Sequence, residues 1–572
     1  MNPAAAPPPT TFRLGLSLSG AVSAGTYAAG VLDYLVEALD AWQDSRARGE
    51  PDVPDGQVVL DAIAGASAGA YGAALLAVGL RSRFPHVRLS GYRDPPDCQE
   101  NPLYEAWVRG TGVRDLLQNR DRSDEAFKSL LDGTRVAEVA ALALAMPAKS
   151  EPFAGGGRTW VADPLRLSFT VTNLDGIPLR FEGTRLPRDI ASLRQFADVT
   201  RFALRGLGVA TSHPVASDEM ALDYPADAST LPVRWQALTA AATASAAFPL
   251  IFSPRIVDWF TAAYTPLKVP WPPGVSGPPH ARFMPMWPQA VPPQMAYVGV
   301  DGGVLDNDPV AIVDDNLHGR DPAAPSLTAN HGAWTDRAVI MIQPLVDKFD
   351  IESPPSSSPS DFGPPHRLLA RLASAVWTQA RGNVVDFALA QREDCYSRFL
   401  IAPTEAAASS RPGTPALAGA CLGAFGGYLH EDYRRHDWQL GRCHAREALR
   451  TRLTLPAGHG LFSNWTPAQR ARFAVPDGPN RGELPIIPLM PHLFDADEKP
   501  LAWPAGRDPT AGLEKPLAAR LRVVVKGLSR LYLPRCPFGR ALILLAWWAW
   551  LGRKVRRGVL ATMREALAAN GL

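Results

Sequence analysis

The chain has 572 residues, 46% apolar and 20% charged, which describes a folded globular protein of two or three structural units and excludes a disordered or fibrous one. A formal net charge of +2 gives no general affinity for nucleic acid. Five scattered cysteines (Cys98, Cys395, Cys421, Cys443, Cys536), with no C-x-x-C or H-E-x-x-H, indicate neither a disulfide framework nor a zinc site, and no metal or other cofactor is expected.

Residues 1–11 are rich in Ala and Pro and lack the basic and apolar regions of a signal peptide. Arg13–Leu18 reads as a first strand, Ser19–Gly25 as a loop of small residues, and Thr26–Leu39 as a helix with Val31, Leu32, Leu35, Val36 and Leu39 on one face. Gly49–Gly56 is a polar, turn-rich link. The plan then repeats. Val58–Ala64 is an apolar run of strand length, Gly65-x-Ser67-x-Gly69 follows, and Ala70–Ala77 has helix propensity. Strand, G-x-S-x-G and helix in that order form the setting of a nucleophile elbow. Two such units predict a mostly parallel sheet with helices packed on it.

Residues 81–160 read as a mostly helical insertion, with helical patches at Tyr104–Leu117, Asp124–Leu131 and Arg135–Ala145. Leu165–Thr172 is a predicted strand closed by a turn at Asn173–Gly176, with Leu179–Phe181 as its pairing partner. Trp235–Ala247 is a helix stopped at Phe248-Pro249. Ten prolines between 265 and 293 make a long loop within about 261–295. Its interleaved aromatics suit either a variable surface excursion or a lid or membrane-dipping edge. Gln294–Val300 and Arg337–Ile342 are further strands, Ser353–Pro365 a linker, and Leu368–Phe399 one long helix with a break near Gly382. Ala406–Leu417 is a small-residue loop, and Gly426–Arg442 is dense in polar and aromatic groups.

From Lys515 onward there are 12 Lys/Arg against one Glu. The apolar run Ala541–Leu551 holds Trp547, Trp548 and Trp550, and at 11 residues it is shorter than the roughly 18 that span a bilayer. Arg535, Arg540, Arg553, Lys554, Arg556 and Arg557 flank it. Residues 535–557 therefore suit either peripheral contact with an anionic bilayer or a helix buried in the protein. The expected location is cytoplasmic or peripheral to a membrane.

A serine nucleophile needs a base and an oxyanion hole. Ser67 is the candidate nucleophile, with Gly65 and Gly69 allowing strand and helix to pass closely. Asp301 ends a predicted strand, and Gly302 and Gly303 let the backbone turn away from its carboxylate; burial would raise its pKa and make it a better base. The Ser19–Gly25 loop opens a helix, so Ser19, Gly20, Ala21 and Val22 are the candidate oxyanion donors. The eleven histidines offer no partner at a strand end, and His436 and His213 read as structural.

Four stretches in order, Ser19-Gly20…Gly25-x-Tyr27-x-x-Gly30-Val31-Leu32, Gly65-x-Ser67-x-Gly69-Ala70, Ala244-Ser245-Ala246-Ala247-Phe248-Pro249 and Asp301-Gly302-Gly303-Val304 with Asn307-x-Pro309, resemble the patatin-like phospholipase family. The resemblance covers roughly residues 10–345. It implies a three-layer α/β/α sandwich and a Ser67–Asp301 dyad that cleaves carboxylic esters of phospholipids or other acyl lipids at a membrane surface, without a metal. The chain departs from the family in one loop, where Ala21 and Val22 replace glycines and Ala24 replaces arginine. A β-branched Val22 resists positive φ, and losing one oxyanion donor costs about 3 kcal/mol. A catalytic domain is expected over 1–345 and a mainly helical, terminally basic extension over 346–572. The alternatives are a catalytically impaired lipid-binding scaffold, a general carboxylesterase with a histidine, and a protein-interaction module in the C-terminal half.

Overall fold

The computed structural model describes residues 11–121, 129–145, 157–181, 192–210, 213–224, 234–264, 267–270, 280–287, 292–318, 332–345, 384–403, 416–494, 498–533 and 536–572, with short pieces between 368 and 381. Most of the helical patch expected at 124–131, the 353–365 linker, most of the 406–417 loop, the break near Gly382 and Arg535 lie outside these residues.

The strands that position the site are β1 (Thr11–Leu18), β2 (Gln57–Gly65), β3 (Val161–Phe181), β4 (Ser192–Arg205), β5 (Arg255–Phe260), β6 (Gln294–Asp301), β7 (Arg337–Ile342) and β8 (Arg398–Ile401). Seven of them run in the order β8-β7-β1-β2-β3-β6-β5, and β4 pairs antiparallel with β3 off this path. From β8 to β3 every pairing is parallel, while β6 and β5 complete the sheet antiparallel. The two-residue period of β7 shows why both faces are covered. Val339 and Met341 pack with Val313 and Leu317 on one side, and Ala338, Ile340 and Ile342 join the main core on the other. Helices α1 (Gly25–Ala47) and α2 (Ala68–Gly79) contribute to the main core, and α3 (Val310–Leu317) covers the opposite face. The result is an α/β fold with helices on both sides of a mostly parallel sheet.

Three local expectations change. β3 does not turn back at Asn173–Gly176. The Asn173 side chain accepts from the amides of Asp175 and Gly176, each at 3.0 Å, and the pairing with β4 shifts register between Thr172 and Ile177. The extra residues are absorbed as a bulge, and Leu179–Phe181 continue the same strand. In the proline-dense stretch, Leu267–Pro270 and His280–Pro285 pair antiparallel, and the second also pairs with the end of β3. Pro270 and Pro285 stand at strand ends, where a missing N–H is tolerated. The long helix expected over 368–399 is helical at its described residues between 368 and 379 and again at Val384–Ala390, and only its last part differs, where the chain forms the edge strand β8. Arg398 holds that strand to Asp386 at 2.8 Å and Asp314 at 3.2 Å.

The chain beyond 345 shares the main hydrophobic core, which runs from Phe12 to Leu501. Its principal helix, α4 (Glu431–Thr451), lies along α1. A Cβ at Gly30 would stand 2.1 Å from the Trp438 carbonyl oxygen, and one at Gly441 would stand 2.2 Å from that of Tyr27, so the crossing depends on glycine on both helices. Helices α5 (Glu514–Tyr532), α6 (Pro537–Ala546) and α7 (Gly552–Ala569) end the chain, with Trp547–Leu551 forming a π-helical turn between the last two. Arg520 anchors α5 to Asp121 and to the carbonyls of Ser129 and Leu130. Leu567 of α7 packs with Cys421 and Tyr433. The tip between these anchors is not buried: Phe538 is 72% and Trp548 80% exposed, and Leu542, Leu545 and Trp550 are exposed as well. No helix among the described residues is long and apolar enough to cross a membrane.

Candidate active site

The elbow follows from its two glycines. A Cβ at Gly65 would lie 2.5 Å from the Ala70 amide nitrogen, and one at Gly69 would lie 2.0 Å from the Leu18 carbonyl oxygen. Between them Ser67 adopts φ 52°, ψ −120°, a conformation that costs about 1–3 kcal/mol and persists because strand and helix hold both ends. Its amide donates to Ser245 Oγ at 2.8 Å, and its carbonyl accepts the Tyr71 amide of α2 at 3.1 Å. Ser245 ends the helix Trp235–Ser245 and was not singled out from the sequence, although it stands in one of the four motifs.

Asp301 reaches the same point through sheet register. Gly65 pairs with Phe169 and Asp301 with Val171, so a single residue of β3, Thr170, lies between the positions that face the strand ends carrying the serine and the carboxylate. The Ser67 hydroxyl donates to Asp301 Oδ2 at 2.6 Å. Oδ1 accepts the Gly303 amide at 2.8 Å, from the 3-10 turn Gly302–Val304. The Asp301 amide donates to the Ala247 carbonyl, and its carbonyl accepts the Thr172 hydroxyl. Burial pushes the carboxyl up to about 7, against the opposing pull of the Ser67 hydroxyl, the Gly303 amide and the Arg381 guanidinium.

The small-residue loop divides in two. The Ser19 and Gly20 amides are engaged by the carbonyls of Ile342 and Asn307, at 3.2 and 3.3 Å, and the Asn307 side-chain amide returns to the Gly20 carbonyl. The Ala21, Val22 and Ala68 amides have no acceptor among the described residues. Val22 adopts φ +49°, the left-handed backbone that a β-branched side chain resists. The next residue is clamped from the far end of the chain: the Ser23 hydroxyl donates to the Ala424 carbonyl at 2.5 Å and accepts the Gly427 amide at 3.0 Å. No periodicity in the sequence announces that clamp.

Ser67 and Asp301 open on one cavity of about 40 Å³, lined also by Val22, Ala68, Tyr71, Trp107, Phe252 and Arg434. That volume is water-sized and the cavity is partly open, so an acyl chain at Ser67 would extend beyond it. No histidine is among the described residues that line it. His436 is fully buried and bonds Asp437 Oδ1 at 2.9 Å, while the Asp437 carboxylate also accepts the amides of Ala418 and Gly419. Among the described residues one group, Asp33, Glu37 and His86, has the spacing of metal ligands. The Arg442 guanidinium already sits on Asp33 and Glu37, which leaves that group a cation of its own.

Residues 16–314 match the family described as patatin-like phospholipase. The chain is 32% identical over 568 residues to the uncharacterized protein y4iI of Sinorhizobium fredii, an alignment covering 91% of this chain and 76% of that protein. Among solved structures, VipD from Legionella pneumophila aligns over 76% of this chain and 67% of its own, at 12% identity and a TM-score of 0.23. On the extent of the first match and the length of the second, the chain belongs to the patatin-like phospholipase family, a family of lipid acyl hydrolases.

Proposed function

We propose that the protein hydrolyses carboxylic esters of phospholipids or related acyl lipids with a Ser67–Asp301 dyad. The observation that carries this reading is the 2.6 Å hydrogen bond between the two side chains, which line one cavity. The Asp301 carboxylate takes the hydroxyl proton as the serine oxygen attacks the ester carbonyl. Negative charge develops on the carbonyl oxygen, where the Val22 and Ala68 amides are the available donors. The alcohol leaves with the proton, an acyl-serine remains, and water activated by Asp301 releases the fatty acid. The absence of histidine from the described lining favours the dyad over a three-residue relay.

The enzyme meets its substrate at a lipid surface through the exposed tip around 531–557. Apolar side chains there stand beside Arg540, Lys554, Arg556 and Arg557, the pairing that suits an anionic bilayer. A second reading, a lipid-binding scaffold without turnover, rests on the left-handed Val22 in place of a glycine.

One experiment separates the two. Wild type, Ser67→Ala and Asp301→Asn are incubated with mixed lipid vesicles, and released acyl products are read by mass spectrometry. The dyad requires turnover by wild type and a loss of about four orders of magnitude in each variant. Turnover retained in Asp301→Asn would return the base to a histidine. No turnover by wild type, with Ser67 unreactive to a fluorophosphonate, would leave the scaffold.

A further inference from the structure

The cavity that holds Ser67 also holds a cation with no acid in direct contact among the described residues. Arg434 projects from α4 and is 5% exposed. Its Nε donates to the Val108 carbonyl at 2.6 Å and its Nη1 to the Gly427 carbonyl at 2.7 Å. Among the described residues no carboxylate lies within 4 Å of the guanidinium, and Nη2 has no partner there. Nη2 is also not among the sealed, unpartnered atoms, so it keeps access to the open space of the cavity that Arg434 lines.

The contrast within one helix sharpens this. Arg442, two turns further along α4, is fully buried too, but Asp33, Glu37 and Glu498 surround it. A guanidinium taken out of water with two neutral carbonyls as its hydrogen-bond partners, and with Glu431 and Asp115 acting on it only from a distance, is costly to bury, and the cost is offset when an anion arrives. Burial lowers the Arg434 pKa to about 10, which still leaves it charged at neutral pH. The loop Ser19–Gly25 in front of Ser67 carries no Lys or Arg, so Arg434 is the guanidinium that lines this cavity.

We infer that Arg434 is the anion subsite of this cavity and takes the phosphate of a glycerophospholipid while one of its acyl esters lies at Ser67. The inference rests on the lipid acyl hydrolase reading and narrows its substrate class. Ester carbonyl and phosphate are a few bonds apart in one glycerophospholipid, and Ser67 and Arg434 line one cavity. A neutral acylglycerol offers the ester and leaves the guanidinium without its partner. A charge-assisted hydrogen bond of this kind discriminates by about 10- to 100-fold.

The test uses full-length wild type, Arg434→Lys and Arg434→Gln. Hydrolysis of phosphatidylglycerol and of diacylglycerol with the same acyl chains is measured in the same detergent micelles. The ratio of the two kcat/KM values falls by about 10- to 100-fold in Arg434→Gln and by less in Arg434→Lys, which keeps the charge. An equal loss on both esters, or no loss on either, would overturn the assignment and leave Arg434 a brace for Val108 and Gly427. Calorimetric titration with dodecyl phosphate, dodecanoate and dodecanol separates the subsite from the reaction. If wild type hydrolyses neither ester but binds dodecyl phosphate in an Arg434-dependent way, the hydrolase reading fails and the anion subsite stands. Dodecyl phosphate binding that survives Arg434→Gln, or that dodecanol matches, would refute the subsite. Dodecanoate binding as tightly as dodecyl phosphate would give it to a fatty-acid carboxylate and overturn the phosphate assignment.

Discussion

Asp301 and Asp33 are both almost wholly removed from water, and they behave in opposite ways. Asp301 faces a hydroxyl and a backbone amide, and burial pushes its carboxyl up to about 7. At Asp33 burial pushes upward too, but His86 and Arg442 outweigh it and hold the carboxyl below its ordinary range. Depth alone therefore assigns no role. The nearest cation decides whether a buried acid is a fixed charge that pins two helices together or a base within reach of a proton. The two arginines of α4 repeat the lesson with the sign reversed, since Arg442 is held by three acids and Arg434 by two carbonyls.

The comparison is broken most severely at Arg442. Arg442→Met takes the one fully buried cation from Asp33 and Glu498, leaving them His86 and the partly exposed Arg88, and lowers stability by about 3–5 kcal/mol, read by urea unfolding. The same change at Arg434 strands no carboxylate and costs about 1–3 kcal/mol, from two carbonyls left unpaired. Equal losses would mean that the acids around Arg442 do not set the difference.

A smaller effect is expected at the exposed tip, where charge and apolar surface act together. Leu542→Asp with Trp548→Asp weakens binding to anionic vesicles by about tenfold or more, while hydrolysis of a soluble short-chain ester stays at the wild-type level. Sedimentation with vesicles at two salt concentrations checks this. Wild-type binding that is insensitive to both substitutions would place the membrane contact elsewhere.

The sheet strands with unbroken apolar runs were legible in the sequence, and Arg337–Ile342 has the same bounds in the structure. So was the elbow, because strand, small residues and helix follow one another locally. Ser67 and Asp301 could each be named from their own surroundings. Their meeting could not, since 234 residues separate them and only the register of β3 brings them together. The bulge at Asn173–Gly176 was hidden because a turn and a bulge use the same residue types. Edge strand β8 was hidden inside a stretch with helix-like composition. The Ser23 clamp joins residues about 400 positions apart, and Arg434 lay unremarked in a stretch that shows only a density of polar and aromatic groups. What decides such residues is the partner across the fold, and composition and period carry no record of it.

The central claim is that Asp301, with its carboxyl raised by burial, is the base for Ser67. The most direct measurement is the rate of fluorophosphonate labelling of Ser67 against pH, in wild type and in Asp301→Asn. A carboxyl raised to about 7 is protonated and idle below that pH and ionised above it. The account predicts that the wild-type rate climbs with pH to a plateau with its midpoint near 7, and that Asp301→Asn is slow and flat across the same range. A variant that keeps the wild-type rate and midpoint would contradict it.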